Sequence, residues 1–459
     1  MCKEKRLEQD FQRDMLRLYE ILEGYEKRKF SAREIFGEIY RRAREFGDLN
    51  AFITLNDGKV PENALPISVK DNIITKNLRT TAASKILENY IPPYNATAVD
   101  RLLKKNFYII GKTNLDEFAM GSTGENSAFG PTLNPIDKTL VPGGSSSGSA
   151  AAVGADIVPV ALGSDTGGSV RLPSAYCGVW GFKPSYGRVS RFGLIAFASS
   201  LDVIGVISRS AKDITLVMEI ISGHDEKDAT SLRIEGVKRE KVEALKRERW
   251  RIGIPKNLLD GIDGRIIGEF EGFIGEIRKF SDVLEIEMRY TDFALASYYV
   301  IASSEASSNL ARYDGVRYGK VILGENLWET YKRTRELFGR EVKRRIGIGT
   351  FALSYGYYDK YYIKALMARR LIKEEIERIL REVDFILLPT SPSLPPKLGS
   401  GFSPIEYYNL DKLTVPFSLA GVPVMSVPLG KFVGIQVVGN FGRDEEVLAF
   451  SEILEEMIG

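Results

Sequence analysis

Histidine is almost absent from this chain: His224 is the only one in 459 residues. A Ser-His-Asp triad needs an imidazole oriented by a carboxylate. His224 has Asp225 beside it, but both lie in ISGHDEKDATS, a stretch of loop character. A single histidine rules out a histidine-rich metal site. Two cysteines, Cys2 and Cys177, are too few for a thiolate cluster, so no metal ligand set is expected. Scarce cysteine fits a reducing compartment, and Cys177 reads as a small buried apolar residue. No run of about 18 uncharged apolar residues is present, so no membrane span is expected. The segment MCKEKRLEQDFQRD carries charge where a signal peptide needs its apolar region. These absences predict a cytoplasmic protein. Neither sign of charge dominates: 63 Lys and Arg face 61 Asp and Glu, a net charge of +2. That balance gives no general steering towards RNA or membrane, and leaves nucleic acid to a local patch or a partner protein.

The chain is long enough for one large α/β domain or for two or three smaller ones. Residues 5–48 read as helical, with a capping box at Ser31 and Glu34 before EIFGEIYRRAREFG. PISV reads as a buried strand ending at Lys70. NATAVDRLLKK and FYIIG follow as helix and strand. SGSAAAVGAD reads as a short helix, and IVPVALGSD as a strand running into a turn at Thr166-Gly167-Gly168-Ser169. RIGIP, VLEIEM, DFILLP, VPVMSVP and VGIQVVG add strands, with helical GEIRKF and ALMARRLIKEEIERILREV between them. Alternating strands and helices predict a layered α/β architecture. The Lys/Glu-rich stretch near 234–251 reads as an exposed bridge between two halves of the fold.

Two Gly-Gly-Ser turns, at Gly143-Gly144-Ser145 and Gly167-Gly168-Ser169, flank an apolar Ala-Val run. Gly/Ser-rich loops are often plain turns or linkers, and others cradle phosphate. The one Gly-Lys-Thr, at Gly111-Lys112-Thr113, lacks the first glycine of a P-loop, because Asn106 stands there. Consecutive backbone N–H groups at Thr166, Gly167, Gly168 and Ser169 can converge on one oxyanion. A serine hydroxyl at Ser169 needs a base. Without histidine, that base is a Lys, Asp or Glu. Lys70 is the candidate, since burial lowers a lysine towards neutrality. Ser145 supplies an intermediate hydroxyl that donates and accepts at once.

This combination resembles the amidase signature family, whose triad is Ser–cis-Ser–Lys and whose two Gly-Gly-Ser turns have this spacing. The resemblance implies Ser169 as nucleophile, Ser145 as the bridging serine and Lys70 as base. It places the oxyanion hole at the backbone of Thr166, Gly167, Gly168 and Ser169. It also implies an α/β/α layered fold around a large mixed central β-sheet. Residues 1–49 then form a helical segment packed on a single catalytic domain of residues 50–459. KTNLDEFAMGSTGENSAFGPTLNP, GFKPSYGRVSRFGLIAFASSLD, EASSNLARYDGVRYG and GYYDKYYIKALMARRLI are similar to the A subunits of aspartyl/glutamyl-tRNA amidotransferases. Such subunits hydrolyse glutamine and pass ammonia to a B subunit, which uses ATP and Mg²⁺ on mischarged tRNA, while a small C subunit braces the pair. The resemblance implies no cofactor or metal in this chain itself.

The same likeness assigns Arg369 to the glutamine α-carboxylate and Tyr318 to a position near the substrate. It assigns Asp411 to the α-ammonium, with helix capping as an equal alternative. Arg370 reads as a surface charge. The sequence departs from the pattern in a short loop before Lys70, at Val203 and Val206 (usually Gln and Pro), and at Ser147 (usually Gly). The valines bear on ammonia exit or subunit packing. A stand-alone amidase of broad specificity and a non-catalytic scaffold remain open beside the glutaminase reading.

Overall fold

In a computed structural model of the chain, which describes residues 16–247 and 249–458, eleven strands form one sheet. They are β1 (Phe52–Leu55), β2 (Leu65–Lys70), β3 (Phe107–Thr113), β4 (Val160–Asp165), β5 (Trp180–Lys183), β6 (Val203–Ser208), β7 (Arg251–Pro255), β8 (Asp282–Ile286), β9 (Phe385–Pro389), β10 (Val424–Gly430) and β11 (Val433–Val438). Their order is β1-β3-β2-β4-β6-β5-β10-β11-β9-β7-β8. β2 runs parallel to β3 and β4, and β7 parallel to β8 and β9, while the strands between are antiparallel. The sheet is therefore mixed, as expected. Central strands such as β2, β3, β4 and β6 are buried along their whole length. The edge strands β1 and β8 are partly exposed, which is how sheet edges avoid further pairing.

Helices cover both faces. Strand alternation sends neighbouring residues to opposite cores: on β9, Phe385 and Leu387 join one apolar cluster, Ile386 and Leu388 the other. The first cluster takes in the helices Leu18–Glu26, Ala32–Glu45, Ala211–Ile221 and Asp444–Ile458; the second takes in Ala294–Asn309, Arg340–Ala352, Lys364–Glu382 and Val415–Ala420. The result is an α/β/α sandwich. Among the described residues, no helix is long and apolar enough to cross a membrane.

Several expectations need correction. The N-terminal region is two helices, Leu18–Glu26 and Ala32–Glu45, separated by a turn at 27–31; residues 5–15 of the expected helix lie outside the described residues. The Ser31–Glu34 capping box is present at the second helix. The Asp213 carboxylate accepts the Leu18 and Tyr19 N–H groups, tying the first helix to the main body. WGFK (β5) and VIGVIS (β6), not singled out as strands, are central ones. The helix expected at GEIRKF is Gly264–Ile277, so it ends inside that motif. The 234–251 stretch is mostly exposed, holds a helix at Arg239–Leu245, and is anchored by buried Val237, Val242 and Trp250. It leads from β6 and the Ala211–Ile221 helix to β7, and so joins the β1–β6 part of one continuous sheet to its β7–β11 part.

Candidate active site

β2 and β4 are parallel neighbours, so Lys70 and Ser164 arrive together at their carboxyl ends, where open α/β sheets hold their ligands. Lys70 is fully buried. Its Nζ lies 2.7 Å from Ser145 Oγ, 2.9 Å from Ser164 Oγ and 3.3 Å from the Ser164 carbonyl oxygen. The Gly144–Ser145 peptide bond is cis. Burial pushes the Lys70 ammonium down to about 7, against the opposing pull of Asp116, Asp165 and Asp202. A lysine that titrates there is able to act as a base near neutral pH.

Ser169 follows β4 through the Thr166-Gly167-Gly168 turn and is 7% exposed. Its carbonyl accepts the Ser146 N–H at 3.0 Å, which joins the two Gly-Gly-Ser turns. Gly168 has φ +156°, and a Cβ there would strike Thr414 Oγ1; a Cβ at Gly167 would lie 2.6 Å from the Tyr298 ring. The turn is thus open only to glycine. Thr414 Oγ1 donates to the Gly167 carbonyl at 2.6 Å, and Thr166 Oγ1 to Asp202 at 2.7 Å, so the turn is held from both sides. Among the described residues, no hydrogen bond joins the hydroxyls of Ser145 and Ser169.

A ring of buried charge supports these groups. Arg171 grips Asp165 with two bonds of 3.0 Å and also reaches the Thr414 carbonyl, Gln436 and Ser418. Burial raises the Asp165 carboxyl, but Arg171 outweighs it and holds the group below its usual value. Asp116 accepts the Gly124 and Asn126 N–H groups at 3.0 Å and stands where a Cβ on Gly144 would be. Burial lifts Asp116 and Asp202 each to about 6. Lys112 and Asp71 form a second buried pair at 3.7 Å behind Lys70.

Known proteins resemble this chain along most of its length. A family model described as amidase matches residues 19–448. The chain belongs to the amidase family. It is 46% identical to the A subunit of the glutamyl-tRNA(Gln) amidotransferase of Sulfurisphaera tokodaii, over 96% of this chain and 93% of that protein. It is also 46% identical to the corresponding A subunit from Thermus thermophilus, over 95% and 96%. The crystal structure of the Thermotoga maritima A subunit superposes with a TM-score of 0.82 at 40% identity, covering 96% and 94%. A peptide amidase from Stenotrophomonas maltophilia gives 0.80 at 25% identity, covering 96% of each.

The three residues that the family likeness adds to the triad fall in different settings. Arg369, on the Lys364–Glu382 helix, is half-buried and donates to the Leu419 carbonyl (3.0 Å), Ser200 Oγ (2.8 Å) and the Ser200 carbonyl (2.9 Å). A guanidinium has five N–H donors, so these three bonds leave two for a ligand carboxylate. Burial holds it below its usual range. Asp411 is buried and accepts Ser122 Oγ at 2.6 Å and the Tyr299 hydroxyl at 3.2 Å, both on Oδ2. Burial pushes it up to about 7. Its side chain bonds no helix N–H among the described residues, which removes the capping alternative. Tyr318 is 36% exposed and packs against Tyr90 and Tyr313, with no bond to the triad among the described residues. Arg370 is an exposed partner of Glu374, and His224 sits exposed in its loop while Asp225 accepts Thr97 and Ser190 hydroxyls instead. Among the described residues, no His/Cys/Asp/Glu cluster fit for a metal is present.

Sequence reading overlooked Ser164, Asn72, Asp116, Asp202 and the Asp165–Arg171 pair. Only Arg171 gave a signal: it is a lone charge in RLPSAYC, two residues after Ser169. Val203 and Val206 are both buried strand residues of β6, so neither presents a surface for subunit packing. Ser147 opens the Ser147–Gly154 helix with its hydroxyl 3.1 Å from Thr132.

Proposed function

We infer that this chain is the glutamine-hydrolysing component of a tRNA-dependent amidotransferase. The observation that carries the reading is the buried Lys70 amine set 2.7 Å from Ser145 beside the Gly-Gly turn of Ser169, in a chain whose relatives at 44–48% identity are named as A subunits of glutamyl-tRNA(Gln) amidotransferases. Ser169 Oγ attacks the side-chain carboxamide carbon. Its proton passes to Ser145 as Ser145 gives its own to neutral Lys70. The backbone N–H groups of Thr166 to Ser169 receive the oxyanion, as preorganised donors do. Collapse expels ammonia with a proton returned along Ser145. Water then cleaves the glutamyl ester by the reverse path. Arg369 meets the α-carboxylate and Asp411 in its ionised form meets the α-ammonium, while Tyr318 is assigned to the substrate's vicinity by the family likeness alone.

Relatives named as subunits support a multi-component assembly. The B and C subunits are its proposed partners, with ATP, Mg²⁺ and mischarged tRNA handled by B, in the cytoplasm. The test is ammonia release from glutamine by the purified chain, alone and with co-expressed partners, ATP and Glu-tRNA(Gln) or Asp-tRNA(Asn). Release that rises strongly with the full assembly supports the reading. Release from simple amides, indifferent to partners and no better with glutamine, establishes a stand-alone amidase instead. No release under any condition leaves a scaffold.

A further inference from the structure

Ser164 is as close to the Lys70 amine as the bridging serine is, within a few tenths of an ångström. It contributes two oxygens, its hydroxyl at 2.9 Å and its carbonyl at 3.3 Å. Its position is over-determined. The Ser164 N–H donates to Ser146 Oγ at 3.2 Å, and Ser146 Oγ donates to the Ser164 carbonyl at 3.1 Å. β6 pairs it to Ile204. On the far side, Asn72 Nδ2 donates to Ser164 Oγ at 2.9 Å, and the Asn72 carboxamide oxygen is buried with no partner among the described residues.

An ammonium carries three N–H donors, and Lys70 Nζ has three oxygens around it: Ser145 Oγ, Ser164 Oγ and the Ser164 carbonyl. The cationic form is therefore fully satisfied. The neutral amine has two donors and a lone pair. That lone pair must face the Ser145 hydroxyl if a proton is to move, with the two N–H bonds directed at Ser164. Asn72 occupies one lone pair of Ser164 Oγ and so fixes how that hydroxyl meets the amine.

We propose that Ser164, oriented by Asn72, is a positioning residue that aims the Lys70 lone pair at Ser145 and receives the ammonium formed when the proton arrives. The bond balance is simple. The Ser145 O–H bond breaks, an N–H bond forms on Lys70, and Ser145 recovers a proton from Ser169 as Ser169 bonds to the substrate carbon. The inference rests on the triad reading above, but not on glutamine as substrate. The other charged groups that act on Lys70 are Asp116 from the 114–121 loop, Asp165 at the end of β4 and Asp202 before β6. Lys112 of β3 is neutralised by Asp71. Ser164→Ala removes none of these charged groups.

The test is the rate of Ser169 labelling by a fluorophosphonate across pH, for the full chain and for Ser164→Ala and Asn72→Asp, with thermal melts confirming that each folds. Labelling requires neutral Lys70, so the rate rises as pH climbs through its titration. Removing an acceptor from the ammonium disfavours the charged form, so the rise in Ser164→Ala moves to lower pH by about one unit. A carboxylate in place of the Asn72 amide favours the charged form, so the rise in Asn72→Asp moves to higher pH. Opposite shifts support the proposal. A folded Ser164→Ala that labels like the wild type, or slows equally at every pH, overturns it, as do shifts of the same sign in both variants. An unlabelled wild type would bring down Ser169 as nucleophile, and this inference with it.

Discussion

The carboxyl ends of β2 and β4 and the helical layer over them are built on different terms. Around Lys70, Ser145 and Ser164 every polar contact joins groups that are almost wholly buried. The glycines there leave no room for a Cβ, as at Gly144 and Gly168. The helices Ala294–Asn309 and Lys364–Glu382, with the segment between them, instead bring half-buried or exposed groups, Arg369 and Tyr318 among them. Close-packed strand ends hold reacting atoms to the tolerance that proton transfer needs. A helical layer with spare donors can meet a ligand's charges and differ among amidases that share the same chemistry. The comparison assigns chemistry to the sheet and selectivity to the helices.

Substitutions in the two regions carry graded costs. The largest effect falls on the proposed nucleophile: Ser169→Ala lowers ammonia release by about 10⁴-fold or more, with unchanged thermal stability, because members of a catalytic unit fail together. Next comes the turn that carries it. Gly168→Ala forces a Cβ into Thr414 and displaces the proposed oxyanion donors, for a loss of about 10²- to 10³-fold in kcat. In the helical layer, Arg369→Ala raises KM for glutamine by about 50-fold and changes kcat less, the pattern of lost ligand binding. The same variant leaves neutral simple amides unaffected in KM, which sharpens the division between chemistry and selectivity. The smallest effect comes from a glycine with nothing near it. Gly37 lies exposed in the Ala32–Glu45 helix with no atom within 4 Å of a built Cβ, so Gly37→Ala stabilises by about 0.5–1 kcal/mol and leaves the rate alone. Calorimetry beside a rate assay checks it.

The legibility of the chain divides along similar lines. Glycine and serine at fixed spacing mark Ser145 and Ser169, because turns of this kind demand particular residue types. PISVK showed β2 because it is an apolar run ending in a charge. β5, at four residues (WGFK), is too short to show an alternating pattern, whereas VIGVIS of β6 is as apolar as the runs that do mark strands. Ser164 and Asn72 were invisible for another reason. A serine inside VALGSD and an asparagine after Lys70 look like ordinary polar residues until β2 and β4 are laid side by side. Asp411 could be read as a cap or a ligand group from sequence. Its bonds to Ser122 and Tyr299 decide against the cap, and those partners come from segments far away in the chain. Local pattern reveals groups whose backbone is special, whereas groups that act through long-range side-chain contacts await the fold.

In the proposed relay, Lys70 reaches Ser169 through Ser145. Ser145→Ala tests it most directly, since Lys70 and Ser169 both remain. Ammonia release from glutamine is measured for this variant beside Ser169→Ala and the wild type at the same pH. If the relay operates, the rate of Ser145→Ala falls to within about tenfold of the residual activity of Ser169→Ala, since groups that act as one unit fail together. A folded Ser145→Ala that keeps most of the wild-type rate would contradict the relay and send the search for the base elsewhere.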